Sequence, residues 1–305
     1  DGSQNEKYYL LFTTGTLEGR TFDVTANSAN SITVDPDWRE DDPNEETDIQ
    51  TQINDAAATD NFEIRPHWTL NTLFPDGANF PASANNNFPD AVLMFRTSDP
   101  NISTDIGVNI SLTKGYFFFD NGNAANRGWY PIGSFTKSND EIIRKKIVYV
   151  YRNSTSTQHM VNLVGDVPLT DSDRTVRILS DGMVQDNYMT LPFPVETSLS
   201  ESGILSMPGF TKSTGSTNSP NGDVVQIYAY PISGINPAPV AQYIYYDATG
   251  TANDAWYKIG DVNPGKSVDN VKIFNPGVAY VIRKTDDLES SETLKHTIPY
   301  NPFAP

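Results

Sequence analysis

The sequence predicts an all-β protein with two duplicated β-sandwich or barrel-like domains, an N-terminal β segment and few short helices. Short β-branched and aromatic runs bounded by Gly, Pro, Asn and Asp recur throughout the chain, whereas helical periodicity is scarce. An aromatic hairpin motif also occurs twice. The 305 residues suffice for about two domains, and 37% hydrophobic and 11% aromatic residues predict a packed core rather than a disordered chain.

Ten segments carry the strand pattern, and the 20 Gly and 21 Pro supply the turns that interrupt it. The predicted strands are residues 7–13, 21–25, 31–34, 61–65, 91–96, 115–119, 147–152, 224–230, 242–246 and 278–283. Only residues 48–58 and 69–74 look helical. Strands therefore dominate the predicted structure.

The repeated motif is an aromatic strand, an Asp, a polar loop and a Trp-Tyr strand. It reads YFFFD at 116–120 with WYPIG at 129–133, and YIYYD at 243–247 with WYKIG at 256–260, at the same spacing. The returning strand would place Tyr and Trp rings opposite one another in a hairpin. The period is far longer than the ~20–50 residues of a solenoid. The motif therefore predicts an N-terminal segment with an acidic loop at 1–60 and repeat domains at 61–168 and 187–300.

The charge and composition exclude some partners and favour export. Acidic residues outnumber basic ones by 38 to 21, and the net charge of -17 repels phosphate backbones and anionic lipids. No apolar run reaches the ~18 residues of a membrane span. The absence of Cys and the abundance of Asn, Thr, Ser, Gly and Tyr are typical of extracellular bacterial β-proteins. We therefore expect an extracellular or cell-surface protein with no nucleic-acid partner.

Three sets of residues carry a resemblance to a known family. They are the phrase GTLEGRTFDVTAN at 15–27, the phrase FEIRPHWTL at 62–70, and the duplicated hairpins. Together they resemble an uncharacterised family of exported β-proteins found in Verrucomicrobia and Planctomycetes. The resemblance spans residues 8–298 and implies export and a β-fold, but no catalytic residue. It also implies a signal peptide and a further β segment before Asp1.

No recognisable catalytic machinery is present, so the sequence predicts that the protein is not an enzyme. His67, His159 and His296 lack the spacing of a metal helix or a nucleophile motif, and no glycine-rich phosphate loop occurs. His159 and His296 fit equivalent strand ends, with a zinc or catalytic role as the alternative. Paired carboxylates are defined in space, so a glycoside hydrolase stays open as a lesser hypothesis.

The acidic segment 35–48 is a candidate Ca²⁺ site, because hard cations prefer clustered carboxylate and carbonyl oxygens. The candidate ligands are Asp35, Asp37, Asp41, Asp42 and Glu45. The segment lacks the EF-hand pattern, and a solvated acidic loop is the alternative. A second oxygen-rich candidate comprises Asp171 and Asp173, with Asp166 nearby.

The repeated hairpins offer a candidate carbohydrate site. Trp129 and Trp256 occupy matching places beside Asp120 and Asp247. Aromatic rings stack on sugar faces, and carboxylates accept hydrogen bonds from sugar hydroxyls. Because an aromatic residue present in both copies of a fold is commonly part of the core, burial of both tryptophans is the alternative.

These observations favour an extracellular structural or assembly protein, such as a surface-layer, fibre or matrix subunit, that associates with itself as a homo-oligomer or polymer. The association would use sheet edges or the apolar run at 8–12, which must join a sheet in its own domain or in the next subunit. The alternative is a carbohydrate-binding or adhesion module with a polysaccharide partner.

Overall fold

The computed structural model is an all-β protein, which confirms the predicted fold class. It describes residues 7–35, 59–77, 80–84, 90–94, 108, 114–143, 149–152, 171–178, 183–214, 221–229, 238–247, 254–261, 266–285 and 290–300. The chain divides into two compact units. The first contains residues 1–64, 106–109 and 167–305, and the second contains 65–105 and 110–166. The described residues 7–35 fall in the same unit as the later repeat, and the predicted domain bounds stay a prediction.

Four strands near the N-terminus form one sheet in the order β3-β2-β1-β4. Their bounds are β1 Tyr8–Phe12, β2 Thr21–Asn27, β3 Ile32–Asp35 and β4 Phe62–Pro66. β1 and β2 are antiparallel, and a small core of Leu10, Phe12, Leu17, Phe22 and Val24 fills one side. The turn between β1 and β2 requires Gly19, whose φ is +86° and whose missing Cβ would lie 2.4 Å from the carbonyl oxygen of Asp171.

The pairing of this sheet bears on two sequence-based expectations. Residues 61–65 were predicted to open the first repeat domain, but β4 pairs with β1 and belongs to the N-terminal sheet. The apolar run at 8–12 was expected to join a sheet in its own domain or in another subunit. The run forms the strand between β2 and β4 in the sheet of its own chain. Successive side chains of a strand point to opposite faces of the sheet, and both faces are buried from Tyr9 to Phe12.

The second unit contains the first copy of the repeated hairpin. Its elements are β5 Trp68–Thr69, α1 Leu70–Leu73, a 3₁₀ turn Pro75–Gly77, β6 Ala91–Met94, β7 Lys114–Phe119, β8 Gly128–Pro131, β9 Ile142–Ile143 and β10 Tyr149–Arg152. β10-β6-β7-β8 form an antiparallel sheet, here called the first hairpin sheet, and β5 pairs with β9. The helix predicted at 69–74 is confirmed, and Thr69 caps it by accepting a hydrogen bond from the Thr72 amide.

The later part of the first unit contains the second copy. Its elements are β11 Ser172–Ile178, β12 Gln185–Thr190, β13 Thr197–Ser198, a 3₁₀ turn Ile204–Ser206, β14 Val224–Ile227, β15 Ala241–Tyr246, β16 Ala255–Lys258, β17 Lys272–Phe274, β18 Ala279–Lys284 and β19 Ser290–His296. β12-β18-β14-β15-β16 form the second hairpin sheet, β11 pairs with β19, and β13 pairs with β17.

The two hairpin sheets share their internal connections. The strand order β18-β14-β15-β16 repeats the order β10-β6-β7-β8. Phe118 lies opposite Trp129 in the first sheet, as Tyr245 lies opposite Trp256 in the second. A parallel bridge attaches Ser83 beside β7, and a parallel bridge attaches Ser213 beside β15. That the two sheets arose by duplication of one domain stays a prediction.

Each of the ten predicted strands overlaps an observed strand. Among the described residues, seven further strands were missed: β5, β9, β11, β12, β13, β17 and β19. They are short or strongly polar, as in SDRTVRI for β11 and SSETLKH for β19. Nothing local marks such segments as strands, because their pairing depends on a distant partner. In the described part of the chain, no helix has the length and apolar character to cross a membrane.

Candidate functional site

The two repeated tryptophans are core residues. Trp129 has no exposed surface, and its ring centroid lies 4.8 Å from that of Phe80 and 5.5 Å from that of Phe118. Trp256 is equally buried, with Phe210 at 5.5 Å and Tyr245 at 5.6 Å. A fully buried ring has no free face on which a sugar could stack. The expectation that these tryptophans form a sugar platform is therefore wrong, and the alternative of burial holds.

The aspartates that follow the aromatic strands form ion pairs near their hairpins. The Asp120 carboxylate lies 3.4 Å from Arg127, and the Asp247 carboxylate lies 3.5 Å from Lys212. Asp120 also accepts a hydrogen bond of 2.8 Å from the Gly122 amide, which shapes the loop. These carboxylates are partly exposed and have a structural role beside the hairpins.

Most of the acidic segment lies outside the described residues. Asp35 ends β3, whereas Asp37, Asp41, Asp42 and Glu45 are not among the residues that the structure describes. Over the described ranges, no group of three His, Asp or Glu side chains is placed to hold a metal. Ca²⁺ binding by this segment stays a prediction.

Asp171, from the second oxygen-rich candidate for a cation site, has a structural role. Asp171 accepts a hydrogen bond of 2.9 Å from the Ile298 amide and lies 3.3 Å from Lys295 Nζ. The carboxylate thus ties the segment before β11 to the end of β19. Because a lysine already neutralises it, Asp171 is a poor cation ligand. Asp166 lies outside the described residues, as does the side chain of Asp173.

His296 has a structural environment at the end of β19. Its Nδ1 donates to the Ser202 carbonyl at 2.6 Å, because a carbonyl can only accept. Its Nε2 then accepts from the hydroxyl of Tyr280 at 3.1 Å. This arrangement suits a neutral, buried imidazole rather than a metal ligand. His67 is also buried, and His159 lies outside the described residues.

An open groove on the N-terminal sheet is the best candidate for a binding surface. It has a volume of about 900 Å³, and Leu10, Phe12 and Val24 line its floor. Its rim carries Phe62 and Ile64, each 49% exposed. Tyr8, also on the rim, is 38% exposed. Exposed apolar residues gathered at one place mark interaction sites more often than scattered ones do.

The other side of the groove is polar and carries little charge. The β2–β3 loop, residues 27–31, supplies amides and hydroxyls, and Asp60 supplies a carboxylate. The loop is closed by a hydrogen bond of 2.8 Å from the Ser28 amide to the Ser31 carbonyl. Sequence reasoning missed this groove. The alternating apolar residues Phe62 and Ile64 were the available sign of an apolar strand face. Which strand lies beside that face depends on the tertiary structure.

Two ion pairs on the second hairpin sheet, one partly buried and one fully buried, were also missed. Arg283 donates two hydrogen bonds, of 2.7 and 2.9 Å, to Asp186. Lys284 pairs with Asp223, and both side chains are completely buried. Burial raises the pKa of Asp223, while the charge of Lys284 and its hydrogen bond act to lower it. The signal in the sequence was an Asp immediately before the paired strand in both copies, Asp90 and Asp223.

No protein-family model matches the chain, and no curated protein or solved structure matches it. The resemblance to a family of exported proteins therefore stays a prediction.

Proposed function

We propose that the protein is a non-catalytic, extracellular structural or assembly subunit that associates with further copies through the open groove of its N-terminal sheet. The observation that carries this proposal is the half-exposed pair Phe62 and Ile64 on β4, the terminal strand of that sheet. Terminal strands with apolar side chains are places where chains pair, and natural proteins normally protect them.

The charge of the chain sets the conditions for association. At a net charge of -17, copies repel one another at long range. Salt shortens the range of this repulsion, to about 8 Å at physiological ionic strength. An apolar contact at the groove is then opposed less strongly. Association should therefore strengthen with salt, whereas one driven by ion pairs would weaken.

The test compares the scattering mass of the full chain with that of a Phe62→Ser, Ile64→Ser variant, across protein concentrations at low and high salt. We expect the mass of the wild type to rise with concentration and salt, and the variant to remain a monomer. Phe135→Ser is the matched control, since Phe135 is 83% exposed and is not one of the residues that line the groove. A wild type that stays monomeric under all conditions contradicts the proposal, as does an equal loss of association in the control.

Point variants serve better than deletion of the N-terminal residues. β1 lies between β2 and β4, so deleting it would remove the centre of the sheet. Phe62 and Ile64 are half exposed, and their replacement should leave the fold intact.

The groove also supports the second candidate, a carbohydrate-binding or adhesion module. Partly exposed aromatic rings, Tyr8 and Phe62, lie with the amides and hydroxyls of residues 27–31 along one groove. Rings with neutral polar groups are the chemistry that binds a neutral polysaccharide. Retention on cellulose, chitin and xylan, lost in Phe62→Ser but kept in Phe135→Ser, would favour this candidate. No retention on any of the three would count against it.

A further inference from the structure

A lysine and an aspartate meet inside the second hairpin sheet without access to solvent. Lys284 is the last residue of β18, and Asp223 immediately precedes β14, the neighbouring strand. The Nζ atom of Lys284 contacts the Oδ2 atom of Asp223, and both side chains have 0% exposure. The pair joins positions that are 61 residues apart in the chain.

The surrounding backbone holds both groups in place. The Thr211 amide donates to Asp223 Oδ2 at 2.8 Å, and the Thr285 amide donates to Oδ1 at 3.1 Å. Lys284 Nζ also donates to the Gly209 carbonyl. Reacting groups fixed together in this way behave as though present at effective concentrations of about 10⁵–10⁸ M. The amine and the carboxyl carbon are therefore held where they can react.

The reaction needs the pair in its uncharged form, which a single proton transfer inside the buried site provides. Burial away from water penalises both an ammonium ion and a carboxylate, and moving one proton from lysine to aspartate removes both charges. Burial is the main influence on the Asp223 pKa and raises it. The aromatic ring of Phe210, whose centroid lies 5.8 Å from Nζ, forms part of these surroundings.

We propose that Lys284 and Asp223 are joined by an intramolecular isopeptide bond that the folded chain forms by itself. The lone pair of neutral Nζ attacks Cγ of the protonated Asp223 carboxyl group. The bond from Cγ to the hydroxyl oxygen breaks, and the hydroxyl leaves as water with one proton from Nζ. Nothing is oxidised or reduced, and no cofactor takes part. The Thr211 and Thr285 amides stabilise the negative charge that develops on the carboxyl oxygens.

Such a bond would give the chain a covalent cross-link that it cannot obtain from cysteine, which it lacks. The first hairpin sheet provides an internal comparison. There Asp90, also immediately before a strand, accepts a hydrogen bond from the hydroxyl of Tyr151. A phenol cannot form an amide with a carboxyl group. The contact between Tyr151 and Asp90 therefore cannot become such a cross-link.

The test is the intact mass of the folded full-length chain, followed by proteolytic mapping. We expect a mass lower than the sequence mass by one water molecule, no tryptic cleavage after Lys284, and a branched peptide containing both Asp223 and Lys284. Lys284→Arg keeps a positive charge but removes the amine, and its mass should equal its sequence mass. Tyr151→Phe should keep the cross-link.

The measurement on the wild type decides the proposal even if the Lys284 variant fails to fold. A folded wild type with its full sequence mass overturns it. A lost water mapped to an Asp-Gly step, such as Asp76-Gly77, with normal cleavage after Lys284, overturns it too. Retention of the lost water in Lys284→Arg has the same consequence. The result is independent of whether the groove mediates assembly.

Discussion

The two hairpin sheets have matching strand orders but different partners for a buried aspartate. In the first sheet Asp90 accepts a hydrogen bond from Tyr151, whereas in the second Asp223 contacts Lys284. Burial, and then the hydrogen bond to Asp90, raise the pKa of Tyr151, so its phenol stays neutral. The repeated hairpin is therefore associated with the same backbone arrangement in both sheets. The chemistry of the buried acid depends on one side chain from a distant strand.

Among the described strands, the second hairpin sheet also has a fifth member that has no counterpart in the first. β12 pairs with β18 in the second sheet, and the Asp186 carboxylate on β12 binds Arg283 on β18. Arg152 takes the matching place in the first sheet, since Arg152 lies opposite Ala91 as Arg283 lies opposite Val224. The arginine is thus common to both sheets, and in the second sheet it binds the Asp186 carboxylate through two hydrogen bonds.

The variants with the largest expected loss of stability remove the buried tryptophan that each sheet contains. Trp129→Ala and Trp256→Ala should each destabilise the protein by about 3–5 kcal/mol, because each removes a fully buried ring. The measurement is denaturant unfolding followed by circular dichroism. Trp68→Ala is the control, since Trp68 is 49% exposed and should cost less than about 1 kcal/mol. Strongly unequal costs at the two buried tryptophans would break the comparison.

The next test addresses the buried acids. Lys284→Met leaves the buried Asp223 carboxyl group without the lysine that contacts it and also prevents the proposed cross-link, so it should cost at least about 3–5 kcal/mol. Tyr151→Phe removes a neutral hydrogen bond to Asp90 and should cost about 1–3 kcal/mol. Unfolding midpoints in urea compare the two variants. A cost for Tyr151→Phe that equals or exceeds that of Lys284→Met would show that the identity of the aspartate's partner does not distinguish the sheets.

A smaller effect concerns the fifth strand. Asp186→Asn weakens the bidentate interaction with Arg283 and should cost about 1.5–3 kcal/mol, the range for hydrogen bonds to charged groups. Hydrogen exchange should increase in β12 and β18 more than in β14 to β16. Uniform acceleration across all five strands would show that the ion pair does not act locally.

The smallest expected change in stability concerns two capping interactions, one in each unit, that should differ in their response to pH. In the first sheet's unit, the side chains of Thr69 and Thr72 accept each other's backbone N–H groups, and both are neutral. Glu201 takes the matching role opposite Ser198, and its side chain accepts from the Ser198 amide at 2.8 Å. The hydrogen bond from Lys272, followed by that from Ser198, lowers the pKa of Glu201 to about 2. Only the second capping interaction should therefore respond to acid.

A carboxyl group with a lowered pKa stabilises the fold above its ordinary value of 4.5, and this contribution disappears as the pH falls toward about 2. Thermal melting of Glu201→Gln should give a lower Tm than the wild type at pH 6, with a gap that closes toward pH 2. Glu201 is well exposed, so solvent screening should keep the difference below about 1 kcal/mol. A gap that persists at pH 2 would exclude the carboxylate as its cause. Thr72→Val should show no such pH dependence.

The sequence by itself determined the all-β class, the ten main strands and the two hairpins. These features are local, because alternating aromatic and β-branched residues fit a pleated strand, and Gly, Pro and Asn fit the turns. The helix at Leu70–Leu73 could also be predicted from the sequence, since Thr69 caps it within the same short segment. Strands such as β11 and β19 were not, because their polar residues gain a strand conformation only by pairing with each other.

Only the tertiary structure decided which candidate residues are buried and which are paired. It placed Trp129 and Trp256 in the core, and it left Phe62 and Ile64 half exposed on a terminal strand. It also joined Asp186 to Arg283 across 97 residues of sequence, and Asp223 to Lys284 across 61. Such pairings follow from which strands become neighbours and which side of each sheet is covered. Local pattern specifies the strand, but its partners depend on how the whole chain packs.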